Sequence, residues 1–247
     1  MISRQSPNDA FVIQVAMDQE AAPFLAAAES HEHLRTQGPA DFQLLGFDFG
    51  TAVLVRSGIG LANAATATTQ AAMLYRPSAV LSAGSAGGVG EDTSVGDVVV
   101  ADSVRFHDSD ATAFGYAPGQ VPNMPTDYPA DARLLTAARQ WADGKGHVKF
   151  GEALSGASFI TEANIGHMRT TFPAALSTDM ETAAIAQTAH TFGIPFAGVR
   201  AVSDLCGPKA GQDFSLSLDE AARISAQATL GLLRAFNSQR CTDIADV

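Results

Sequence analysis

The sequence predicts an α/β fold in which a single domain forms a three-layer sandwich, a central mixed β-sheet flanked by helices. Short apolar runs alternate along the chain with helical stretches rich in small residues, which favours a sheet covered by helices. A hairpin is predicted around Gly50, and because its strands are antiparallel the sheet should be mixed. A length of 247 residues suits one large domain that needs no disulfides to stabilise its core.

Individual runs give the predicted order of elements. Strands are predicted over residues 11–16, 42–49, 51–56, 79–83, 97–101, 148–154 and 196–202, and helices over residues 61–74, 178–192 and 216–236. The Pro- and Gly-rich residues 115–128 predict a long loop, and ordered loops of that length are often functional. The α/β pattern continues after this loop, so we expect one domain over residues 1–247, with loose tails at about 1–10 and 238–247.

Charge and cysteine usage exclude several classes of partner. The net charge is −11 and the 15 Lys and Arg residues are dispersed, which argues against nucleic acid and anionic membranes as partners. No apolar run has the length of a membrane span, and the first residues lack the apolar centre of a signal peptide. The two cysteines have no metal-binding or disulfide-framework spacing. We therefore expect a cytoplasmic protein.

Four segments carry candidate functional residues, and each also has a purely structural interpretation. Ser82–Gly88 is a glycine-rich loop after a strand, either a tight connection or a ligand cradle. Thr178 and Glu181 have the spacing of a helix capping box, but Glu181 could equally face a ligand at the mouth of the sheet. In each case the residues alone leave both alternatives open.

The other two segments follow the first and last predicted strands. Met17, Asp18, Gln19 and Glu20 could simply be an acidic first helical turn. Arg200 lies inside an apolar strand and needs a buried partner or a ligand. Asp204 ends that strand, where ligands bind in open α/β sheets.

The sequence gives little support for a metal site, a serine hydrolase or a nucleotide-binding motif. The cluster His31-Glu32-His33 is predicted to be solvated, and the cluster His107-Asp108-Ser109-Asp110 has no further ligands at a suitable spacing. A serine nucleophile elbow, a P-loop and a dinucleotide fingerprint are all missing from the sequence.

Taken together, the segments resemble the 5′-methylthioadenosine/S-adenosylhomocysteine nucleosidases of the purine nucleoside phosphorylase superfamily. The matching segments lie in the family's order over nearly the whole chain, at residues 17–20, 57–60, 83–88, 95–99, 106–108, 112–116, 158–160, 179–181 and 199–204. Several motifs in order are far more specific than any one of them. The resemblance implies a nucleoside phosphorylase-like fold and an N-glycosyl hydrolase that acts on an adenine nucleoside without a cofactor or metal.

The resemblance also implies residue roles. Glu20 would activate the attacking water, Glu181 would hold the ribose hydroxyls, and Asp204 would assist departure of adenine at N7. Phe159 would stack on adenine. The other pocket residues implied, which would contact the base, the ribose, the water or the 5′-substituent, are Met17, Ile59, Ser85, Ala86, Gly87, Ile160, Met180, Arg200, Ser203 and Leu218.

Reaction chemistry is consistent with these residue types. Purine is a poor leaving group as an anion, so an acid near N7 helps the bond to break. Positive charge develops on the ribose, which carboxylates stabilise, and the attacking water needs a base on the opposite face. Asp18, Gln19 and Glu20 stand where a phosphorylase needs phosphate donors, which favours water over phosphate as the nucleophile.

Some alternatives stay open. A phosphorylase and an adenosine or AMP nucleosidase are the nearest ones, whereas a non-catalytic binding protein should have lost Glu20, Glu181 or Asp204. Three features depart from the family pattern: Asp179 replaces a common Glu, Leu218 replaces a common aromatic residue, and residues 206–214 form a longer stretch. These departures concern the 5′-substituent, which the sequence leaves open among methylthio, homocysteinyl, deoxy and futalosine-type groups.

The resemblance further implies a homodimer in which a loop reaches the partner's active site. Phe114, Tyr116 and Pro122 are the loop residues expected to cover the 5′-substituent there. The apolar residues of this loop, which should otherwise be solvated, independently support its place at a subunit interface, because aromatic residues are enriched at interfaces. The alternative is that these side chains fold back on their own subunit.

Overall fold

The computed structural model describes residue 8, residues 10–206 and residues 218–245, with side chains described as far as residue 239. Most of the predicted N-terminal tail, the side chain of Cys241 and nearly all of the stretch 206–214 lie outside these described residues. Among the helices of the described part, none is long and apolar enough to cross a membrane.

The described residues form ten strands and six α-helices. The strands are β1 (Phe11–Val15), β2 (Ser30–Gln37), β3 (Ala40–Phe47), β4 (Gly50–Arg56), β5 (Ala79–Gly88), β6 (Val98–Phe106), β7 (Tyr128–Pro129), β8 (Val148–Ser155), β9 (Ala175–Asp179) and β10 (Phe196–Asp204). The helices are α1 (Asp18–Ala27), α2 (Leu61–Tyr75), α3 (Ala132–Ala142), α4 (Glu162–Thr171), α5 (Thr182–Phe192) and α6 (Leu218–Ala245).

The strands form one mixed sheet, as predicted from the hairpin. Its order is β10-β6-β8-β9-β5-β1-β4-β3-β2, with β7 added beside β6. Strands β4, β1, β5 and β10 run parallel, whereas β2, β3 and β4 form antiparallel pairs. Because β10 also pairs with β5, strands β5, β10, β6, β8 and β9 close into a ring, a closure that the sequence did not predict.

Helices cover both faces of the sheet. In β1, Ile13 points to the core that contains Phe24 of α1, Leu134 of α3 and Leu232 of α6. Its neighbour Val12 points the other way, into the core formed with α2 and α5. This alternation along a strand gives the sheet two apolar faces, so the predicted three-layer arrangement is confirmed.

Three predicted elements need correction. The strand predicted to end at residue 83 continues to Gly88, so the glycine-rich segment is β5 itself and not a loop. The helix predicted from residue 178 begins at Thr182, because the preceding residues belong to β9. The last helix extends to Ala245, beyond the predicted end at residue 236 and through most of the stretch expected to be a C-terminal tail.

The predicted capping box is also wrong. Glu181 is the N-cap residue of α5, and its side chain makes no cap hydrogen bond. Asp179 caps the helix instead, because its Oδ1 accepts from the backbone N–H groups of Glu181 at 2.9 Å and Thr182 at 2.8 Å. The Glu181 carboxylate is therefore free to face away from the helix.

Candidate active site

A cavity opens at the carboxyl ends of β1, β5 and β10, beside the turn from β9 into α5. Parallel strands bring these ends to one edge of the sheet, which is where α/β folds place their ligand sites. The predicted residues that line it are Met17, Glu20, Ile59, Ser85, Ala86, Gly87, Phe159, Ile160, Met180, Glu181, Arg200, Ser203, Asp204 and Leu218.

Glu20 is buried at the start of α1 and receives four hydrogen bonds. Its Oε2 accepts from the backbone N–H groups of Ala16 at 2.9 Å and Met17 at 3.2 Å. Its Oε1 accepts from the N–H of Ser85 at 2.8 Å and from the Ser85 hydroxyl at 3.0 Å. Glu20 therefore belongs to the acidic first turn of α1, where it accepts from the N-cap N–H, and it also lines the cavity.

Gly84 explains how β5 and Glu20 approach each other so closely. A Cβ at Gly84 would overlap the Glu20 carboxylate, and the residue has a φ of +133°, which side-chain-bearing residues rarely adopt. Its N–H donates to Ser225 Oγ of α6 at 2.8 Å. The glycine in this strand thus makes room for a protein carboxylate.

Arg200 is buried among four protein acceptors. Nη1 donates to Ser85 O at 2.9 Å and Nη2 to Ser82 Oγ at 3.0 Å. Nε lies 3.3 Å from Asp179 Oδ2 and Nη1 lies 3.3 Å from Glu181 Oε2, both as ion pairs. Although burial opposes it, the charges of these carboxylates raise the pKa of Arg200. Arg200 is therefore a buried ion-pair partner that also lines the cavity.

Glu181 spans the gap between α5 and the loop before α2. Its Oε1 accepts from the N–H of Gly60 at 2.9 Å. Burial raises the pKa of Glu181 to about 7; Asp179 and Glu20 act in the same direction, whereas Arg200 and the Gly60 N–H oppose the shift. Its protonation state therefore changes near neutral pH.

Asp204 ends β10 and has a hydrogen bond to each carboxylate oxygen. Oδ1 accepts from the Cys206 N–H at 2.9 Å, and Oδ2 accepts from the Ser203 hydroxyl at 3.0 Å. A Cβ at Gly87 would overlap Cys206 Sγ, so the glycine lets this turn pack against β5. Burial, reinforced by Asp204, raises the pKa of the Cys206 thiol to about 12, which keeps it protonated.

Apolar side chains form the outer wall of the cavity. Ile59 is 52% exposed and Phe159 is 50% exposed, although both line the cavity. An aromatic ring left half uncovered at a cavity is a surface on which a planar ligand can stack.

Three predicted site residues do not line this cavity: Phe114, Tyr116 and Pro122. Phe114 is 84% exposed and lies in a 3-10 turn, Thr112–Phe114. The Tyr116 hydroxyl donates to Asn123 Oδ1 at 3.4 Å within the same loop.

Sequence reasoning missed five lining residues: Ala16, Ser158, Thr178, Asp179 and Cys206. A signal existed for Asp179, because a buried Arg200 required an acidic partner. Nothing in the sequence assigned the other four to a ligand site, and the fold places them here. The two histidine clusters stay outside the cavity, and the described residues contain no group of His, Cys, Asp and Glu that could hold a metal.

The family model of the phosphorylase superfamily matches residues 10–237, so this mixed sheet with an acidic cavity at its strand ends belongs to an enzyme of that superfamily. A relative from Chromohalobacter salexigens is 43% identical over 185 residues, 74% of this chain and 79% of its own length. A relative from Geobacillus thermodenitrificans is 40% identical over 228 residues, 91% of this chain and 96% of its own. Both are 5′-methylthioadenosine/S-adenosylhomocysteine nucleosidases.

A solved structure gives the same result. The nucleosidase of that name from Neisseria meningitidis, in complex with methylthio-immucillin-A, superposes with a TM-score of 0.87 at 35% identity, over 92% of this chain and 99% of that one. This chain belongs to the 5′-methylthioadenosine/S-adenosylhomocysteine nucleosidase family.

Proposed function

We propose that the chain hydrolyses the N-glycosidic bond of 5′-methylthioadenosine, S-adenosylhomocysteine or both, releasing adenine and the 5-thio-substituted ribose. The observation that carries this proposal is the charge of the cavity: the described residues that line it include four carboxylates, Glu20, Asp179, Glu181 and Asp204, and one cation, Arg200. An excess of carboxylates suits the positive charge that develops on the ribose. The names of the relatives support the same reaction.

The protein groups around Arg200 favour hydrolysis over phosphorolysis. A phosphorylase needs cationic or N–H donors for its phosphate. Arg200 is the one cationic side chain among the described lining residues, and Ser82, Ser85, Asp179 and Glu181 already surround it. The Ser85 N–H, a further donor, is taken by Glu20. Phosphate would therefore displace protein contacts and lie beside carboxylates.

For the attacking water we assign Glu20 as the general base. Four donors fix the position of its carboxylate, and a fixed base is the arrangement that general-base catalysis requires. We assign Asp204 as the acid that protonates adenine at N7, with Ser203 holding its Oδ2. Glu20 lies shortly after β1 and Asp204 is the last residue of β10, so the two groups meet at the same edge of the sheet.

The remaining lining residues suit the other parts of a nucleoside. Phe159 would stack on adenine, with the Ile160 backbone beside the edge of the base. Glu181 would accept hydrogen bonds from the ribose hydroxyls, with Met180 against the sugar ring. Ile59 and Leu218 would form the apolar wall around the 5′-thio group, a soft substituent that gains from apolar burial.

Phosphate-free turnover tests the proposed function. Each candidate nucleoside is incubated with and without phosphate, and free adenine, free sugar and sugar phosphate are quantified. We expect adenine and free sugar in equal amounts at a rate that phosphate does not raise. A sugar-1-phosphate product, or a requirement for phosphate, would identify a phosphorylase instead.

The pKa of Glu181 predicts a pH dependence. An ionised carboxylate can accept hydrogen bonds from ribose hydroxyls at both oxygens, whereas protonation turns one oxygen into a donor. The ionised form of Glu181 should therefore bind the sugar better. Because burial raises the pKa of Glu181 to about 7, we expect kcat/KM to fall as the pH drops through about 7. The check is a kcat/KM profile for the wild type and for Glu181→Gln, in which this inflection should be lost. A flat wild-type profile across neutral pH would contradict the assignment.

We further propose that the active form is a homodimer in the cytoplasm, the compartment suggested by a sequence with two cysteines that have no disulfide-framework spacing. Phe114 and Pro122 are exposed, as an interface would require. Other apolar residues of the loop, Val121 and Met124, pack against the subunit's own core. The interface assignment therefore concerns the tip of the loop, Phe114, Tyr116 and Pro122.

A double variant, Phe114→Ala with Tyr116→Ala, tests this assignment. We expect the KM for a thioether nucleoside to rise more than the KM for adenosine, because the loop would cover the 5′-group of the partner's substrate. Dimer stability should fall as well, which dilution followed by light scattering measures. A fully active monomer at low concentration would refute the idea.

A further inference from the structure

We propose that His107 and Asp108 position the β8–α4 loop, residues 156–160, for purine binding. The proposal rests on the function proposed above, since Phe159 and Ile160 of this loop line the cavity. Neither His107 nor Asp108 is among the lining residues. They are therefore positioning residues that act through the loop, and they do not touch the reacting atoms.

Two hydrogen bonds join this dipeptide to the start of the loop. Asp108 Oδ2 accepts from the Ala157 N–H at 2.7 Å. The His107 N–H donates to Ser155 O at 2.9 Å. The bonds flank Gly156, whose own N–H donates to Asp179 O at 3.2 Å, and together these contacts fix the direction in which the chain leaves β8. The short distance to Asp108 is typical of a charge-assisted hydrogen bond.

Gly156 lies directly against the same two side chains. A Cβ at this position would overlap the His107 ring and would lie 2.8 Å from Asp108 Oδ2. His107 Nε2 is buried without a hydrogen-bond partner, and burial lowers the pKa of His107, against the opposing charges of Asp108 and Asp179. The neutral ring thus forms a packing surface that the loop can approach only through a glycine.

The far end of the loop is held separately. Asn164 Nδ2 of α4 donates to Phe159 O at 3.2 Å, and Asn164 Oδ1 accepts from the Thr161 N–H at 2.8 Å. Phe159 therefore sits between two anchors, one on α4 and one on the segment after β6. Releasing the Asp108 anchor should leave the ring less ordered, and a purine would then have to order the loop on binding.

Asp108→Ala tests the proposal. We expect the KM for the adenine nucleoside and the dissociation constant of adenine each to rise about tenfold, while kcat stays within about threefold. Amide hydrogen exchange at residues 157–159 should become faster. Asp108→Asn keeps an acceptor for the Ala157 N–H and should restore most of the affinity. Asp143→Ala, an exposed aspartate at the end of α3, is the matched control and should change neither quantity.

A second variant covers the case in which Asp108→Ala unfolds, which thermal melting would reveal. Gly156→Ala pushes the loop away from His107 while keeping Asp108, and it should weaken adenine binding in the same way. Adenine affinity and KM within about twofold of wild type, or unchanged exchange at Ala157, would overturn the proposal. Failure of the proposed function would appear differently, as a wild-type chain that releases no adenine.

Discussion

Glu20→Gln should lower turnover of the adenine nucleoside by about a thousandfold or more, while the protein still binds adenine. A general base contributes about 10²- to 10⁴-fold, and glutamine cannot take the proton of the attacking water. Glutamine has the same size, so the purine and ribose contacts should survive. The measurements are single-turnover rates for the chemical step and calorimetry for adenine binding.

The hydrogen bonds of Glu20 predict a side effect of this change. All four partners of the carboxylate act as donors, namely the N–H groups of Ala16, Met17 and Ser85 and the Ser85 hydroxyl. The NH₂ of a glutamine must face either the N–H groups of Ala16 and Met17 or the two donors of Ser85. Facing Ser85 costs less stability, because the Ser85 hydroxyl can rotate and accept a hydrogen bond from the NH₂. One N–H then stays unpaired, which costs about 1–3 kcal/mol of folding stability.

Ser85→Ala is therefore the control for Glu20→Gln. It removes one hydrogen bond to the carboxylate but keeps the base, so it should retain most of the turnover. If Glu20→Gln kept near-normal turnover, Glu20 would have no part in the mechanism. If both variants lost activity equally, the position of the carboxylate and not its basicity would matter.

Much of the fold could be predicted because most of its strands are short apolar runs that stand out in the sequence. β2 could not, since its sequence SHEHLRTQ is exposed along nearly its whole length and only pairing with β3 makes it a strand. The closure of β5, β10, β6, β8 and β9 into a ring depends on strand pairings far apart in sequence. Periodicity within a single segment carries no information about either feature.

The candidate site shows the same division. Glu20 and Asp204 could be placed at one edge because each follows a strand, and strand ends meet in an α/β sheet. The role of Asp179 as the side chain that caps α5 could not, because Thr178 and Glu181 fit a capping pattern that the extended chain of β9 prevents. Glycines at positions 84 and 87 suggested a ligand cradle, yet their space is taken by Glu20 and by Cys206.

Asp204→Asn should slow cleavage of adenine nucleosides by about 10²-fold or more, and it should do so with little loss of stability. Asparagine can satisfy every contact of Asp204. Its Oδ1 can accept from the Cys206 N–H, and its NH₂ can donate to Ser203 Oγ. The Ser203 hydroxyl would then donate to Ala86 O, which lies 3.2 Å away. A melting temperature close to that of the wild type is therefore expected.

The substrate dependence of this loss distinguishes an acid from a structural residue. A 7-methylpurine nucleoside already carries positive charge at the position that Asp204 would protonate, so its departure needs no acid. Asp204→Asn should consequently cost far less for this substrate than for the adenine nucleoside, with kcat compared for each at saturation. Ser203→Ala, which removes the partner of Oδ2 but leaves the carboxyl group, should show a smaller loss. Equal losses of Asp204→Asn on both substrates would mean that Asp204 holds the turn at Cys206 and does not deliver a proton.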